Sequence, residues 1–200
     1  NQEICLGMVF LPRTNYSAQE RCRSIIEQEL LNSDFYIFGW RQVPVNPKVL
    51  GQKANDTRPE IEQIIFACDK KYDFQELERK LFVIRKKIEK KASKEQLNDF
   101  YISSLSSKSV IYKGMFLAEN IADFYPDLLD SRFKSRFALF HQRFSTNTFP
   151  SWELAQPFRI IAHNGEINTI KGNVNWMKTH EAGFESELFE NVDDIKPIIK

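Results

Sequence analysis

The sequence lacks an excess of charge of either sign, and it lacks a long apolar run. Lys and Arg together number 28 and Asp and Glu number 27, so the formal net charge is +1. A chain with almost no net charge has no strong electrostatic field to attract nucleic acid or an anionic membrane surface, so neither is expected as a partner. No apolar run approaches the ~20 residues of a membrane helix, and no basic segment precedes the first apolar stretch as in a signal peptide. These absences favour a cytoplasmic protein without a membrane span.

Cysteine is scarce as well. Cys5, Cys22 and Cys68 are odd in number and far apart, which argues against a disulfide framework and against a CxxC metal site. We expect three buried, reduced thiols and no metal site. The first residue is Asn1 and not Met, and the last residues, DDIKPIIK, lack the composition of a tail. We therefore expect residues 1–200 to form one domain that is truncated at both ends.

Apolar and aromatic residues are abundant. Hydrophobic residues make up 42% of the 200 positions, aromatic residues make up 13%, and Phe alone occurs 17 times. Burial of these side chains offsets the entropy lost on folding, and this length suffices for one medium domain with a core. The composition predicts a globular chain.

The spacing of apolar residues predicts alternating strands and helices. Apolar or aromatic runs predict strands at Ile4–Leu11, Phe35–Trp40, Glu60–Cys68, Phe137–Phe144 and Ile160–His163. Helical spacing predicts helices after a capping box at Ser17 and Glu20, after Asp73 and Glu76, and over Met115–Phe124 and Asn173–Phe184. Within the second helix, the run from Leu81 to Ile84 fits a short strand equally well.

Two further runs, Phe100–Leu105 and Val110–Lys113, flank a short polar stretch, which favours a β-hairpin. The lysine-rich stretch Lys86–Lys94 is interpreted as a solvated helix face or surface loop without a function of its own. Strands that pair through hairpins and short turns, with single helices between them, indicate a largely antiparallel sheet covered by helices. The predicted class is α+β.

A polar set lies at the end of the strand predicted at Phe137–Phe144. It consists of Arg143, Ser145, Thr146 and Asn147. An Arg guanidinium presents five donors in a planar fork that binds a carboxylate through two parallel hydrogen bonds. Neighbouring hydroxyls can bond the substrate atoms that the Arg does not reach. This set predicts a pocket for an amino-acid substrate. The alternative for Arg143 is an ion pair with a nearby Asp or Glu.

A second polar set, which begins at His163, follows the apolar run that ends at Ala162. A Gly in a strand-end turn leaves its backbone N–H unobstructed, so we expect Gly165 and the side chain of its neighbour Asn164 to point two donors at one oxygen that develops negative charge. The pair predicts an oxyanion hole. The alternative is an ordinary Asn-Gly turn.

Several motifs resemble the large subunit of glutamate synthase, within its N-terminal class II glutamine amidotransferase domain. The strongest are RFSTNTFP, LAQPFRIIAHNGEINT and KGNVNWM, and FGWRQVPVNP, ANDTRPEIEQI, NDFYISSLSS and VIYKGMFLAENIADFYPDLLD extend the resemblance over nearly the whole chain. RFST and HNGEIN alone would fit any class II amidotransferase, whereas the flanking segments favour glutamate synthase. The resemblance implies an α+β fold of the N-terminal-nucleophile type, an αββα sandwich of largely antiparallel sheets, incomplete here at both ends.

The resemblance also implies a mechanism. An N-terminal cysteine, with its own α-amino group as base, attacks the side-chain amide of L-glutamine, ammonia leaves, and water releases glutamate from the thioester. By matching position, Asn164 with Gly165 would form the oxyanion hole and Arg143 would bind the α-carboxylate. The rest of the pocket would be lined by Ser145, Thr146, Asn147 and Glu166. In the family, the ammonia then travels to 2-oxoglutarate at a flavin site.

The chain also departs from the family. The family's nucleophile lies upstream of the segment that Asn1–Pro12 resembles, and Cys5 cannot replace it because it lies inside an apolar strand without a free amine. The aspartate that binds the substrate's α-amino group falls after the last residue here. We therefore expect the 200 residues alone to be inactive.

The remaining parts of a glutamate synthase are expected outside this chain. They are FMN, an iron–sulfur cluster, the other synthase domains and a small NAD(P)H-oxidising subunit, and no cofactor is expected within the chain itself. Two alternatives to an enzyme segment of a glutamate synthase stay open: a non-catalytic remnant of a split or decaying gene, and an enzyme of the same superfamily with another acceptor.

Overall fold

A computed structural model describes residues 3–145, 148–159 and 170–198. Within them, one sheet has four strands: β1 (Ile4–Leu11), β2 (Phe35–Gln42), β3 (Glu60–Cys68) and β4 (Tyr101–Ser106). The same residues include five α-helices: α1 (Tyr16–Leu31), α2 (Gln52–Asp56), α3 (Phe74–Lys94), α4 (Ile121–Phe124) and α5 (Ile170–Ala182). Short 3₁₀ turns cover Pro47–Val49, Ala118–Asn120, Pro126–Leu129 and Val192–Asp194. Within this described part, no helix combines the length and the apolar character needed to cross a membrane.

The sheet is antiparallel throughout and has the strand order β2-β3-β1-β4. β1 pairs with β3 along its full length, from Ile4 opposite Ala67 to Leu11 opposite Glu60. The combination of helices with an antiparallel sheet confirms the predicted α+β class. The described residues contain one sheet of the sandwich that the resemblance implies.

Alternate side chains of β1 enter two separate cores, because successive residues of a strand point to opposite faces. Val9 and Leu11 belong to a core between the sheet and helices α1 and α3, which we call the helix-side core. Met8 and Phe10 belong to a second core on the opposite face, the loop-side core, which also contains Trp152. Because both faces of β1 are covered, its sequence is continuously apolar rather than alternating.

All four strands of the described sheet were predicted from the sequence. The predicted bounds of β1 and β3 are confirmed, while β2 continues to Gln42 and β4 begins one residue later than predicted, at Tyr101. The hairpin partner of β4 is wrong, since Val110–Lys113 forms no strand. Ile111 is instead bonded by serine side chains: Ser103 Oγ donates to its carbonyl at 3.1 Å, and its N–H donates to Ser104 Oγ at 3.2 Å.

Helix α3 shows why the lysine-rich stretch is only partly solvated. Its N-cap is confirmed, because Asp73 Oδ1 accepts a hydrogen bond from the Glu76 N–H at 2.9 Å, and the helix continues through Leu81 and Ile84. Lys86 lies in this helix and is buried, with its ammonium donating to the carbonyl of Pro197. The expectation of a solvated helix face or surface loop is therefore wrong at Lys86.

Two other helix predictions need correction. Met115–Phe124 is helical only over the turn Ala118–Asn120 and the short α4, since the Phe116 ring turns into the loop-side core and packs 5.1 Å from the Phe124 ring. Helix α5 begins at Ile170, three residues before the predicted start, and ends at Ala182. The strand predicted at Ile160–His163 lies outside the described residues.

Helix α1 begins at a different cap from the predicted one. Asn15 is the N-cap, and its side chain accepts a hydrogen bond from the Ala18 N–H at 3.0 Å, so Ser17 already lies in the first helical turn. Asn15→Ala is expected to lower the free energy of unfolding by about 1 kcal/mol, because it leaves that N–H without its acceptor. Ser17→Ala is the matched control and should change it by less than about 0.5 kcal/mol. Urea unfolding measures the free energy of unfolding of both variants. A larger decrease for Ser17→Ala than for Asn15→Ala would support the predicted capping box at Ser17 and Glu20.

Candidate functional site

The segment that carries Arg143 is not a strand. Residues 131–145 have no regular secondary structure, and Phe137, Leu139 and Phe140 are 82%, 77% and 79% exposed. A strand needs a hydrogen-bonded neighbour, and none of the four described strands pairs with this segment. The strand predicted at Phe137–Phe144 is therefore wrong, because its apolar pattern finds no sheet to pack against among the described residues.

The Arg143 side chain is exposed and makes no hydrogen bond or ion pair with a described residue. The ion pair that would explain Arg143 structurally is thus missing from the described part of the chain. Its guanidinium keeps five donors for an external acceptor, and a carboxylate matches their geometry best.

Ser145, two residues further on, accepts two hydrogen bonds. Its carbonyl accepts a hydrogen bond from the Thr148 N–H at 3.1 Å, and its Oγ accepts one from Gln156 Nε2 at 3.2 Å. The Gln156 side chain therefore connects Ser145 to a later part of the chain. The other predicted site residues lie outside the described residues, and their roles stay predictions: Thr146, Asn147, Asn164, Gly165 and Glu166.

Gln156 belongs to a stretch that is fastened to the body of the fold and that we call the anchored segment, residues 151–159. Trp152 is 5% exposed, and its Nε1–H donates to the carbonyl of Ala54 at 2.9 Å. Its ring also meets the Phe10 ring edge-on, with centroids 6.2 Å apart. The loop-side core thus holds the beginning of the anchored segment.

Lys113 holds the middle of the anchored segment. It is 2% exposed, and its Nζ donates to the carbonyls of Glu153 at 2.7 Å and Ala155 at 2.8 Å and to the Tyr101 hydroxyl at 3.3 Å. Burial, and next the positive charge of Arg159, lower the pKa of Lys113 to about 7. Nothing in the sequence marked Lys113, because a lysine at the end of a predicted surface hairpin is expected to be solvated.

Arg159 holds the end of the anchored segment. One guanidinium nitrogen donates to the carbonyl of Ile102 in β4, and the guanidinium lies over the Tyr101 ring, 4.9 Å from its centroid. Its Nη2 is 3.5 Å from Glu89 Oε1, and Arg85 Nη1 contacts the same oxygen at 2.6 Å. Residue 159 is the last described position before Asn164 and Gly165, and this network holds its side chain against β4 and α3.

A cleft of about 410 Å³ lies beside the anchored segment, at the end of β1. Trp152 lines it, together with three cationic side chains, Arg13, Lys53 and Arg58, and three anionic ones, Asp56, Asp99 and Glu153. The balance of charges means that the cleft does not select an anion by its field. Arg143 is not among the residues that line it.

The three cysteines are free and buried. Burial, as the largest cause, raises the pKa of Cys5 to about 12 and that of Cys22 to about 11, and it also raises the pKa of Cys68. A thiol attacks an amide as the thiolate, so neutral, enclosed thiols do not serve as nucleophiles. Among the described residues, no cluster of three or more His, Cys, Asp or Glu side chains is arranged to hold a metal ion.

Comparison with known proteins decides the family. The family described as "Glutamine amidotransferases class-II" matches residues 1–200. The chain belongs to the class II glutamine amidotransferases. The amidotransferase family implied by the motifs around Arg143 and Asn164 is thereby confirmed, and the antiparallel α+β architecture agrees with it.

Curated relatives of this class II amidotransferase chain are glutamate synthases. It is 58% identical over 200 residues to the NADPH glutamate synthase large chain of Azospirillum brasilense, covering 100% of this chain and 13% of the relative. It is 45% identical over 199 residues to the NADPH glutamate synthase large chain of Bacillus subtilis (97% and 13% covered). With ferredoxin-dependent glutamate synthase 2, chloroplastic, of Arabidopsis thaliana it shares 44% identity over 198 residues (96% and 12% covered). The chain therefore spans about an eighth of the length of these relatives.

Proposed function

We propose that this chain is part of the glutaminase domain of a glutamate synthase, which hydrolyses L-glutamine to glutamate and ammonia for transfer to 2-oxoglutarate. The observation that carries the proposal is the family match over residues 1–200, joined to 58% identity with a glutamate synthase large chain. The geometry supports it with an exposed guanidinium at Arg143 that has no partner among the described residues.

In this proposal, Arg143 binds the α-carboxylate of glutamine through two parallel hydrogen bonds. Ser145, Thr146, Asn147 and Glu166 line the rest of the pocket. Asn164 and Gly165 donate hydrogen bonds to the amide oxygen as it becomes negative during attack. Donors aimed at charge that develops only in the transition state lower the barrier itself.

The nucleophile is a cysteine other than the three in this sequence, because Cys5, Cys22 and Cys68 are buried and hold their protons. We propose an N-terminal cysteine whose α-amino group accepts the thiol proton. Its sulfur forms a bond to the amide carbon, the carbon–nitrogen bond breaks, and the departing nitrogen takes a proton to leave as ammonia. Water then cleaves the thioester and releases glutamate.

The remaining chemistry of a glutamate synthase is assigned to other parts of the polypeptide. We propose that FMN, an iron–sulfur cluster and the 2-oxoglutarate site belong to further synthase domains, and that a small NAD(P)H-oxidising subunit is a candidate partner. The contribution proposed for this chain is to bind glutamine and to stabilise the oxyanion.

Arg143→Ala is expected to raise the KM for glutamine by about 10- to 100-fold with little change in kcat, because it removes a charge-assisted contact made equally to substrate and transition state. The measurement is ammonia release from glutamine by the full polypeptide as it occurs in the cell. Arg136→Ala is the control, since Arg136 is an exposed Arg of the same segment.

Two results would count against these assignments. Equal KM values for the Arg143→Ala and Arg136→Ala variants would remove Arg143 from the carboxylate site. Absence of ammonia release from the unaltered full polypeptide would contradict the proposed function and would favour the non-catalytic remnant.

A further inference from the structure

The ammonium group of Lys113 donates three hydrogen bonds, and the oxygen atoms that accept them come from two separate parts of the fold. One acceptor is the hydroxyl of Tyr101 in β4, and the other two are the carbonyls of Glu153 and Ala155 in the anchored segment. A buried ammonium is costly unless its N–H groups are bonded, and no ion pair joins Lys113 to a described carboxylate. Its charge therefore serves to hold backbone carbonyls in place.

The held carbonyls lie next to a predicted substrate contact. Ala155 is 3% exposed and precedes Gln156, whose amide Nε2 donates to Ser145 Oγ at 3.2 Å. A continuous path thus runs from the Lys113 ammonium through the Ala155 carbonyl to Gln156 and on to Ser145. Ser145 is two residues from Arg143, the proposed carboxylate ligand.

We propose that Lys113 is a positioning residue of the glutamine site, which fixes Ala155 and, through Gln156, sets the position of Ser145 beside Arg143. This inference rests on the proposed glutaminase function. Lys113 does not touch the substrate in this scheme, so its effect is on the geometry of the binding pocket and not on the chemical step.

The surroundings of Lys113 give this role a pH dependence. Arg159 and the Glu153 carboxylate face it from the anchored segment, Tyr101 faces it from β4, and Glu89 and Arg85 of α3 surround Arg159 and Tyr101. The pKa of Lys113 is lowered to about 7. Above that pH, the neutral amine keeps two N–H donors and turns a lone pair toward an oxygen. The hold on the anchored segment is therefore strongest well below pH 7 and weakens as the pH rises through the pKa of Lys113.

The test uses the full polypeptide as it occurs in the cell and measures ammonia release from glutamine. Lys113→Met keeps the apolar stem and removes the donors, and we expect KM to rise about tenfold with kcat changed by less than about threefold. Lys48→Met, at an exposed lysine in a 3₁₀ turn, is the matched control and should leave both constants unchanged.

Gln156→Ala removes the next link of the same path and also covers the case in which Lys113→Met does not fold. We expect it to raise KM by a similar factor, and we expect the double variant to be no worse than either single one, because both break one chain of contacts. KM of the unaltered protein should rise between pH 6.5 and 8.5 as Lys113 deprotonates. KM of Lys113→Met should be flat over that range.

Three results would overturn the inference: an unchanged KM in both single variants, multiplicative effects in the double variant, or the same pH dependence of KM with and without Lys113. Multiplicative losses would indicate two independent structural contacts. If the unaltered protein releases no ammonia from glutamine, the proposed function fails first. If it does so and Arg143→Ala raises KM while Lys113→Met and Gln156→Ala do not, only the role of Lys113 fails.

Discussion

Asn164→Ala is expected to lower kcat for glutamine hydrolysis by about 10²-fold or more and to leave KM nearly unchanged. The proposed contact from the Asn164 side chain reaches full strength only when the amide oxygen carries negative charge. Its loss therefore raises the barrier without weakening the binding of glutamine in the ground state. The measurement is steady-state ammonia release by the full polypeptide at saturating and at limiting glutamine.

Two further variants sharpen the test of Asn164. Asn164→Asp keeps the shape but replaces the donor with a negative charge, so its kcat should fall at least as far as that of Asn164→Ala. Asn120→Ala is the control, because the Asn120 side chain makes no capping hydrogen bond at the start of α4. If Asn164→Ala changes kcat and KM by equal factors, the residue does not have the role of an oxyanion donor.

Phe66→Ala is expected to lower the free energy of unfolding by about 3–5 kcal/mol, the range for loss of a buried aromatic side chain. Phe66 is fully enclosed in β3, within the helix-side core, and its ring meets the Phe35 ring edge-on at 5.4 Å. Because small domains are stable by only about 5–15 kcal/mol, this one change should remove a large share of the stability.

The control for Phe66 lies on the neighbouring strand. Phe38 in β2 is 58% exposed, and its described ring contact is with Tyr36 at 5.3 Å. Phe38→Ala should therefore cost less than about 1 kcal/mol. Equilibrium unfolding in urea, followed by circular dichroism, compares the two variants, and equal losses would show that burial in the helix-side core does not set the stability.

The sequence predicted the central sheet well because its signals are local. β1 is a continuous apolar run that ends at Pro12, and β3 is a similar run, so both could be bounded from the residues alone. Asp73 was recognisable as a cap because its acceptor and the N–H that it binds are three residues apart. The strand predicted at Val110–Lys113 is wrong because serine side chains, and not a neighbouring strand, bond the backbone of Ile111. Residue composition does not reveal this difference.

Of the candidate site, the sequence predicted only the residues that lie within recognisable motifs. Arg143 and Ser145 were identified from residue types that suit a carboxylate, and the structure leaves the Arg143 guanidinium without a described partner. Lys113 was missed because its importance depends on the carbonyls of Glu153 and Ala155, 40 and 42 positions along the chain. Contacts at that separation are created by the fold and leave no trace in local spacing.

The burial of Cys5, Cys22 and Cys68 has a practical consequence for chemical labelling. Closed packing and raised pKa values make all three thiols unreactive toward alkylating reagents while the chain is folded. A thiol reagent that becomes attached to the native full polypeptide therefore marks a cysteine other than these three. Their labelling after denaturant is added counts unfolded molecules, so one reagent distinguishes accessible cysteines elsewhere in the native polypeptide from these three, which react only on unfolding.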